Sequence, residues 1–129
     1  MFEHLFFRYN TFFEGRIEIK LINNKSCLEV ESSINFEKSK KKLDSKKSKK
    51  IIDDIEKIGI DTWLPHYQPE GFFILDGYSW DLEYNRHLIS GVNAYPWCFY
   101  QLIRVLIEAE PRLENRLGEY TKEVKCFYI

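Results

Sequence analysis

The sequence predicts one α+β domain over residues 1–129, with an antiparallel sheet of five or six strands and two main helices packed on one face. Residues 16–32 alternate between apolar and polar side chains on both sides of a polar turn, which is typical of a β-hairpin. Residues 78–84 alternate in the same way. Over residues 45–58 and 96–108, apolar side chains recur at helical spacing. A sheet with one apolar face needs a second layer to bury it, and two helices provide that layer.

The first strands follow one another without a helix between them. An apolar bias predicts a strand over residues 2–13, and the hairpin then pairs residues 16–21 with residues 27–32. The turn between them is Asn23-Asn24-Lys25-Ser26, whose residue types tolerate a left-handed or turn backbone. Residues 33–42 contain two apolar side chains before a run of lysines, and they fit either a frayed edge strand or a loop.

A first helix is predicted from Ser45 to Ile58. Asp44 or Ser45 is suited to cap its N-terminus by accepting a hydrogen bond from a free backbone amide. Gly59 follows the last periodic residue and favours a left-handed C-terminal cap. The stripe expected to pack on the sheet consists of Ile51, Ile52, Ile55 and Ile58.

The middle of the chain is expected to supply most of the core. Residues 60–71 contain two prolines and predict an ordered loop rather than regular structure. A short buried strand is expected over residues 72–75, then a turn at Asp76-Gly77. The strand over residues 78–84 follows, and residues 87–90 form its hairpin return.

The last third of the chain begins with a second helix. Pro96 is expected in its first turn, where a missing N–H costs nothing, and the helix reaches about Glu108. Asn93 is expected to orient the preceding loop through hydrogen bonds from its side chain to the backbone. Residues 111–129 form a C-terminal extension, in which alternation predicts a last strand over residues 120–129.

Charge is distributed unevenly along the chain. The net charge is −1, yet residues 38–50 hold eight lysines against one acid, Asp44. The other residues hold 11 basic and 19 acidic side chains, a formal charge of −8. The sequence therefore predicts a mobile basic segment, residues 38–50, attached to an acidic body.

Cysteine usage and hydropathy indicate a cytoplasmic protein without membrane contact. No window approaches the roughly 18 uncharged apolar residues of a membrane span, and the N-terminus lacks the basic start of a signal peptide. Cys27, Cys98 and Cys126 are far apart and match no metal-ligand spacing, so we expect buried free thiols and no metal.

An ordered set of residues in the second half of the chain carries a resemblance. The set comprises Trp63, Tyr67, Asp76, Gly77, Tyr78, Trp80, Leu82, Gly91, Asn93, Ala94, Tyr95, Pro96, Phe99 and Leu102. It resembles the pattern W…Y…DGxxW…GxNxxP…F…L of a widespread, uncharacterised family of small bacterial domains, over residues 51–106. The resemblance implies no activity. Trp97-Cys98 stands where the family has polar residues, so contacts with partners are expected to differ there.

Side chains able to perform chemistry are not grouped in the sequence. Asp76 precedes a glycine, as in a turn, and Asp81 and Glu83 share the polar side of a strand, as on a solvated face. The histidines are isolated from one another and from the cysteines, and they are His4, His66 and His87. We expect no catalytic residue, no metal and no cofactor, and therefore a binding protein rather than an enzyme.

The predicted function is stoichiometric inhibition of another macromolecule, such as a nuclease, by a bacterial or phage protein. Immunity proteins that neutralise a toxin and phage anti-defence proteins of the anti-CRISPR kind belong to this class. The partner is expected to be a protein, and the predicted contact residues are Lys40, Lys41, Lys46, Lys47, Asp81, Glu83 and Trp97. Acids of the body would mimic phosphates in a basic cleft, and they are Asp53, Asp54, Glu56, Asp81, Glu83, Glu108 and Glu110.

Two alternative functions remain from the same residues. The lysines of residues 38–50 suit salt-dependent binding to a nucleic-acid backbone, although the segment lacks an arginine and offers no ring to read a base. A pocket between sheet and helices would suit a small ligand-binding module or enzyme.

Overall fold

The computed structural model describes residues 1–11, 14–69 and 77–122, and within them seven strands form one mixed sheet. The strands are β1 (His4–Thr11), β2 (Gly15–Asn24), β3 (Cys27–Ile34), β4 (Glu37–Lys42), β5 (His66–Tyr67), β6 (Tyr78–Tyr84) and β7 (His87–Val92). They lie in the order β4-β3-β2-β1-β6-β7-β5, and β5 pairs with β7 in parallel whereas the other pairs are antiparallel. The α+β class is confirmed. The predicted antiparallel sheet of five or six strands is corrected to a mixed sheet of seven.

The register gives the sheet one apolar face and one polar face. Phe7 of β1, the central strand, lies opposite Ile19 of β2 and Leu82 of β6, and all three side chains are buried. We call this side the core face. Arg8, the next residue along β1, lies opposite Asp81 on the other side, which we call the open face. The helices cover the core face, because side chains alternate along a strand and only one side is apolar.

The first helix, α1 (Ser45–Ile58), has the bounds that its local signals predict. Asp44 Oδ1 accepts a hydrogen bond from Lys47 N at 2.8 Å, and Gly59 ends the helix in the left-handed conformation with φ of 75°. Ser48 attaches the helix to the sheet, since its buried hydroxyl accepts from Leu28 N at 2.8 Å. Polar side chains buried in this way need such partners.

The second helix, α2 (Phe99–Ala109), begins later than the sequence predicts. Residues 96–98 form a turn in which Phe99 N donates to Pro96 O at 2.9 Å, so Pro96 precedes the helix instead of lying in its first turn. Beyond α2, a short 3-10 turn leads into α3 (Glu114–Leu117). Leu113 and Leu117 are buried, and the predicted C-terminal extension therefore packs against the core up to the end of the described residues.

Aromatic rings form the centre of the core. Trp80 on β6 is 1% exposed and donates its indole N–H to Ala94 O at 2.8 Å. Its ring stacks on Tyr67 at 6.1 Å between centroids and lies 5.0 Å from Phe99 and 6.4 Å from Trp63. Trp80 thereby joins β5, β6 and the start of α2, the three elements that position the surface described below.

The structure decides one alternative that the sequence left open, in residues 33–42, and differs from the prediction in residues 60–71. Residues 33–42 contain a turn at Asn35-Phe36, with φ of 51° and 72°, followed by the edge strand β4. Residues 60–71 were expected to lack regular structure, but a 3-10 turn at Ile60–Thr62 and the two-residue β5 lie there. β5 forms after Pro65 because a parallel partner is available, and Ser90 N donates to Pro65 O at 3.0 Å.

Parts of the sequence prediction lie outside the described residues. These are the strand over residues 72–75, Asp76, Cys126 and the last strand after residue 122. Tyr120, placed at the start of that last strand, lies instead in a 3-10 turn at Gly118–Thr121.

Asn93 orients the loop between β7 and α2, as predicted. Its backbone is left-handed, with φ of 53°, and its Oδ1 accepts a hydrogen bond from Tyr78 N at 2.9 Å. Asn93 N donates in turn to Tyr78 O at 2.9 Å. An asparagine suits both tasks, because it tolerates the left-handed region and carries an acceptor.

Replacing Asn93 with alanine is therefore expected to lower the free energy of unfolding by about 1–2 kcal/mol, through the lost hydrogen bond and the strained backbone. Asn93→Gly loses the same bond without the strain, so its loss should be smaller. Urea denaturation of the two variants separates the contribution of the hydrogen bond from that of the backbone strain. Equal losses would show that the backbone conformation contributes nothing.

Candidate functional site

Two large apolar side chains lie exposed around one concave surface. Trp97 is 60% exposed and Leu64 is 56% exposed, and both line a groove of about 460 Å³. We call this the Trp97 groove, and its wall is completed by Lys57, Ile58, Thr62, Trp63, Tyr67, Pro96, Cys98 and Gln101. Single exposed apolar residues are common on proteins, but two of this size around one concavity make it the candidate interaction surface.

The backbone that presents Leu64 is held by hydrogen bonds. Leu64 N donates to Tyr67 Oη at 2.9 Å, and the Tyr67 ring is itself stacked on buried Trp80. On the other side of the groove, Trp97 lies in the turn that precedes α2, where Gln101 N donates to Cys98 O at 3.0 Å. Both exposed side chains are thus mounted on ordered backbone, which reduces the entropy lost when a partner binds.

The thiol of Cys98 lies in the floor of the Trp97 groove and is not an activated nucleophile. It is buried, and burial raises the pKa of the Cys98 thiol. The nearby Trp63 indole N–H lowers the pKa of the thiol, but burial is the larger effect. A thiol with a raised pKa is neutral at physiological pH and packs as a small apolar group. Cys27 is half-buried, so the prediction of buried cysteines holds for Cys98 alone of the two described.

A second concavity lies between α1 and α2 and continues the first. This α1–α2 groove has a volume of about 390 Å³ and shares Lys57, Ile58 and Gln101 with the Trp97 groove. Lys50 Nζ contacts Asp54 at 3.1 Å and Glu108 at 2.9 Å at its far end. The hydrogen bonds to Glu108 and Asp54 raise the pKa of Lys50, so its ammonium group stays charged.

The lysines predicted to bind a partner are divided between two elements. Lys40 and Lys41 lie on β4, where Lys40 Nζ is 3.9 Å from Glu31 and Lys41 Nζ is 3.9 Å from Glu110. Lys46 and Lys47 lie exposed in the first turn of α1. The basic segment predicted as mobile therefore consists of an edge strand and a helix start, and the structure does not bring these lysines to the Trp97 groove.

The open face carries both signs of charge. A groove of about 430 Å³ there is lined by Phe6, Lys20, Lys38 and Lys40, but also by Glu18 and Glu31. Lys20 Nζ lies 5.7 Å from the Phe6 ring, a cation–π distance. The mixture disfavours a phosphate backbone as ligand, because the carboxylates repel it.

The predicted acidic contacts lie on the open face and have cationic neighbours. Asp81 is 3.9 Å from Arg8, and Glu83 is 2.7 Å from His4 Nε2. Asp81 and Glu83 are thus distant in the fold from Trp97, which lies on the helix side of the sheet. The remaining acids proposed to mimic phosphates also have contacts within the chain, and they are Asp53 with Lys49, Asp54 and Glu108 with Lys50, Glu56 with Phe2 N, and Glu110 with Ser32 and Arg112.

His66 is not isolated in the fold, and sequence spacing missed its neighbours. Its Nδ1 lies 2.7 Å from Ser90 Oγ and its Nε2 lies 2.9 Å from Gln68 Oε1. Because an amide oxygen only accepts, His66 Nε2 donates to Gln68 Oε1, while the Ser90 hydroxyl is able to donate to or accept from Nδ1. The third group beside this serine–histidine pair is an amide and not the carboxylate of a Ser-His-Asp triad. The His66–Ser90 contact joins β5 to β7.

The described part of the chain has neither a cluster of metal-ligating side chains nor a membrane-spanning helix. Its histidines, cysteines and acids form no group of three that could hold a metal ion. Across residues 1–11, 14–69 and 77–122, none of the helices combines the length and the apolar character needed to cross a bilayer.

Comparisons with protein-family models, with curated proteins and with solved structures find no match to this chain. The resemblance noted from the sequence therefore stays a prediction, and function rests on the geometry of the Trp97 groove.

Proposed function

We propose that this chain is a protein-binding domain whose recognition surface is the Trp97 groove. The observation that carries the proposal is the pair of exposed apolar side chains, Trp97 and Leu64, on rigid backbone around one concavity. Leaving them in water costs free energy that burial against a partner recovers. Tryptophan is also among the residues that contribute most to binding energy at protein interfaces.

Stoichiometric inhibition is the role that we assign to this binding. A domain that acts by covering a surface needs only a rigid contact patch, and the Trp97 groove supplies one. The groove wall offers an apolar floor with a buried, neutral thiol and no activated nucleophile among its described residues. Inhibition of a toxin or a defence nuclease by an immunity or phage anti-defence protein fits this arrangement and is the form that we propose.

Trp97→Ala is expected to weaken partner binding by about 30-fold or more, the effect of removing an interface residue worth at least about 2 kcal/mol. The folded state should lose little, because the side chain is mostly exposed. Phe36→Ala is a matched control, since Phe36 is 93% exposed on the turn before β4 and lies outside the groove.

The test immobilises wild-type protein and both variants and exposes them to a nuclease-treated lysate of the encoding organism at low and high salt. We expect a stoichiometric protein retained by wild type and by Phe36→Ala, and lost from Trp97→Ala. A protein retained equally by all three baits would contradict the proposal. A parallel experiment omits the nuclease. Nucleic acid that is retained at low salt and released at high salt would instead favour the alternative function, nucleic-acid binding by the lysines of residues 38–50.

A further inference from the structure

The Trp97 groove and the α1–α2 groove form one channel. α1 and α2 run antiparallel, because Lys50 near the start of α1 contacts Glu108 near the end of α2, while Ile58 and Gln101 line the grooves at the opposite end. Lys50 and Lys57, seven residues apart, span about 10 Å of α1. A helix rises about 5.4 Å per turn, so this stretch of the channel matches about two turns of a partner helix, and the Trp97 groove continues beyond it.

The walls of this channel favour a helix over an extended segment. Along the α1–α2 groove both walls are helices, whose backbone amides and carbonyls are bonded within each helix. An extended peptide would find no sheet edge along this groove to satisfy its own backbone. A helix satisfies its backbone internally and presents side chains at intervals of three and four residues, the mode in which helices bind apolar grooves.

The charged side chains along the channel indicate the sign of the charge that an occupant should carry. Asp54 and Glu108 are already in contact with Lys50. Lys57 and Arg104 are both exposed, and neither has a carboxylate within 4.0 Å among the described residues. Arg104 instead donates to Thr121 O and lies over the Tyr100 ring, 4.7 Å from its centroid. Of these two cations, Lys57 lines both grooves and Arg104 lines the α1–α2 groove.

We propose that the occupant is an acidic amphipathic helix of the partner protein, which places an apolar side chain against Trp97 and Leu64 and carboxylates beside Lys57 and Arg104. The proposal rests on the proposed function, because it names the chemistry of the partner at that same surface. Apolar contact supplies the affinity and the two cations select an acidic sequence.

The test selects ligands from a displayed library of random peptides of about 15 residues, four helical turns. Selection uses the full-length wild-type protein, with counter-selection on Trp97→Ala. We expect enriched peptides that carry apolar residues at positions i, i+3 or i+4 together with Asp or Glu, and that gain helical circular dichroism on binding. Salt should weaken their binding, as for other solvent-exposed ion pairs.

Charge reversal then examines the contribution of the cations. Lys57→Glu is expected to weaken the selected peptides about tenfold, through a lost attraction and a new repulsion. Lys25→Glu is the matched control, because it makes the same change on the exposed turn between β2 and β3, outside the channel, and should leave affinity unchanged. Equal effects of the two substitutions would overturn the assignment of Lys57.

The outcomes separate this inference from the proposed function. Peptides that require Trp97 but are basic, or bind without becoming helical, would overturn the acidic helix and leave the protein-binding function standing. If no peptide that requires Trp97 is enriched, the groove itself is not a recognition surface, and both proposals fail.

Discussion

Gly91→Ala is expected to lower the free energy of unfolding by about 3 kcal/mol. Gly91 lies on β7, where an added Cβ would stand 2.2 Å from Trp80 Nε1 and 2.5 Å from Ala94 O. These two atoms form the buried indole hydrogen bond, so the methyl group separates donor from acceptor. Overpacking in a filled core and a buried donor left without its acceptor each cost about 1–3 kcal/mol.

Gly118→Ala is the control for this prediction. Gly118 has helical backbone, with φ of −57°, and its added Cβ would meet only the flexible end of Glu114 at 3.2 Å. Alanine there restricts the unfolded chain, so stability should stay the same or rise by up to about 1 kcal/mol. Urea denaturation of both variants, followed by tryptophan fluorescence, measures the difference. Similar behaviour of the two variants would show that the Trp80 environment adapts without cost.

The second large effect is expected at Glu110, a buried carboxylate at the end of α2. Glu110 is 3% exposed, accepts from Ser32 Oγ at 2.9 Å and lies 3.4 Å from the Arg112 guanidinium. Burial by itself would raise the pKa of Glu110, but the hydrogen bonds from Arg112 and Ser32 and the charge of Lys41 outweigh it and lower the pKa. The carboxylate is therefore charged in the folded protein at neutral pH.

Glu110→Gln is expected to cost about 2 kcal/mol at pH 7, because Arg112 and Ser32 lose a charged acceptor. The cost depends on pH with a defined sign. A lowered folded-state pKa means that the carboxylate stabilises the fold above its unfolded-state pKa, near 4.5, and that this contribution disappears as pH falls through the folded-state value. The gap between wild type and variant should therefore narrow below about pH 4.5.

Denaturation curves of wild type and Glu110→Gln between pH 3 and pH 8 test this dependence. Glu37→Gln serves as control, since Glu37 is an exposed carboxylate on β4 and its removal should change stability by less than about 0.5 kcal/mol at every pH. A gap that widens toward acid pH would contradict the sign of the shift at Glu110.

The fold changes the meaning of the charge pattern in the sequence. As a string, residues 38–50 are a basic segment beside an acidic body. In three dimensions, Lys49 pairs with Asp53 at 3.0 Å one helical turn away, and Lys41 approaches Glu110 across the end of the sheet. Interleaved signs screen one another, so neither a purely basic nor a purely acidic surface results. The apolar channel, rather than the lysine run, is therefore the more distinctive surface.

Elements with short-range signals could be predicted from the sequence alone. Both ends of α1 follow from Asp44 and Gly59, because caps act within one turn of the residues that they serve. The strand over residues 78–84 has the predicted bounds, since alternation of this length favours a half-buried strand whatever lies beside it. The role of Asn93 also follows from a side chain that bonds nearby backbone.

Only the tertiary structure decided the pairing of strands and the location of the candidate site. β5 is two residues long and exists because β7 offers it a parallel edge, a partner that no local pattern reveals. Leu64 and Trp97 belong to different loops, and each alone is an ordinary exposed apolar residue. They line one groove because Tyr67 and Phe99 both pack on Trp80 and draw their loops together. Local propensity acts over a few residues, whereas core packing joins residues distant in sequence, and the surface that we propose for recognition depends on core packing.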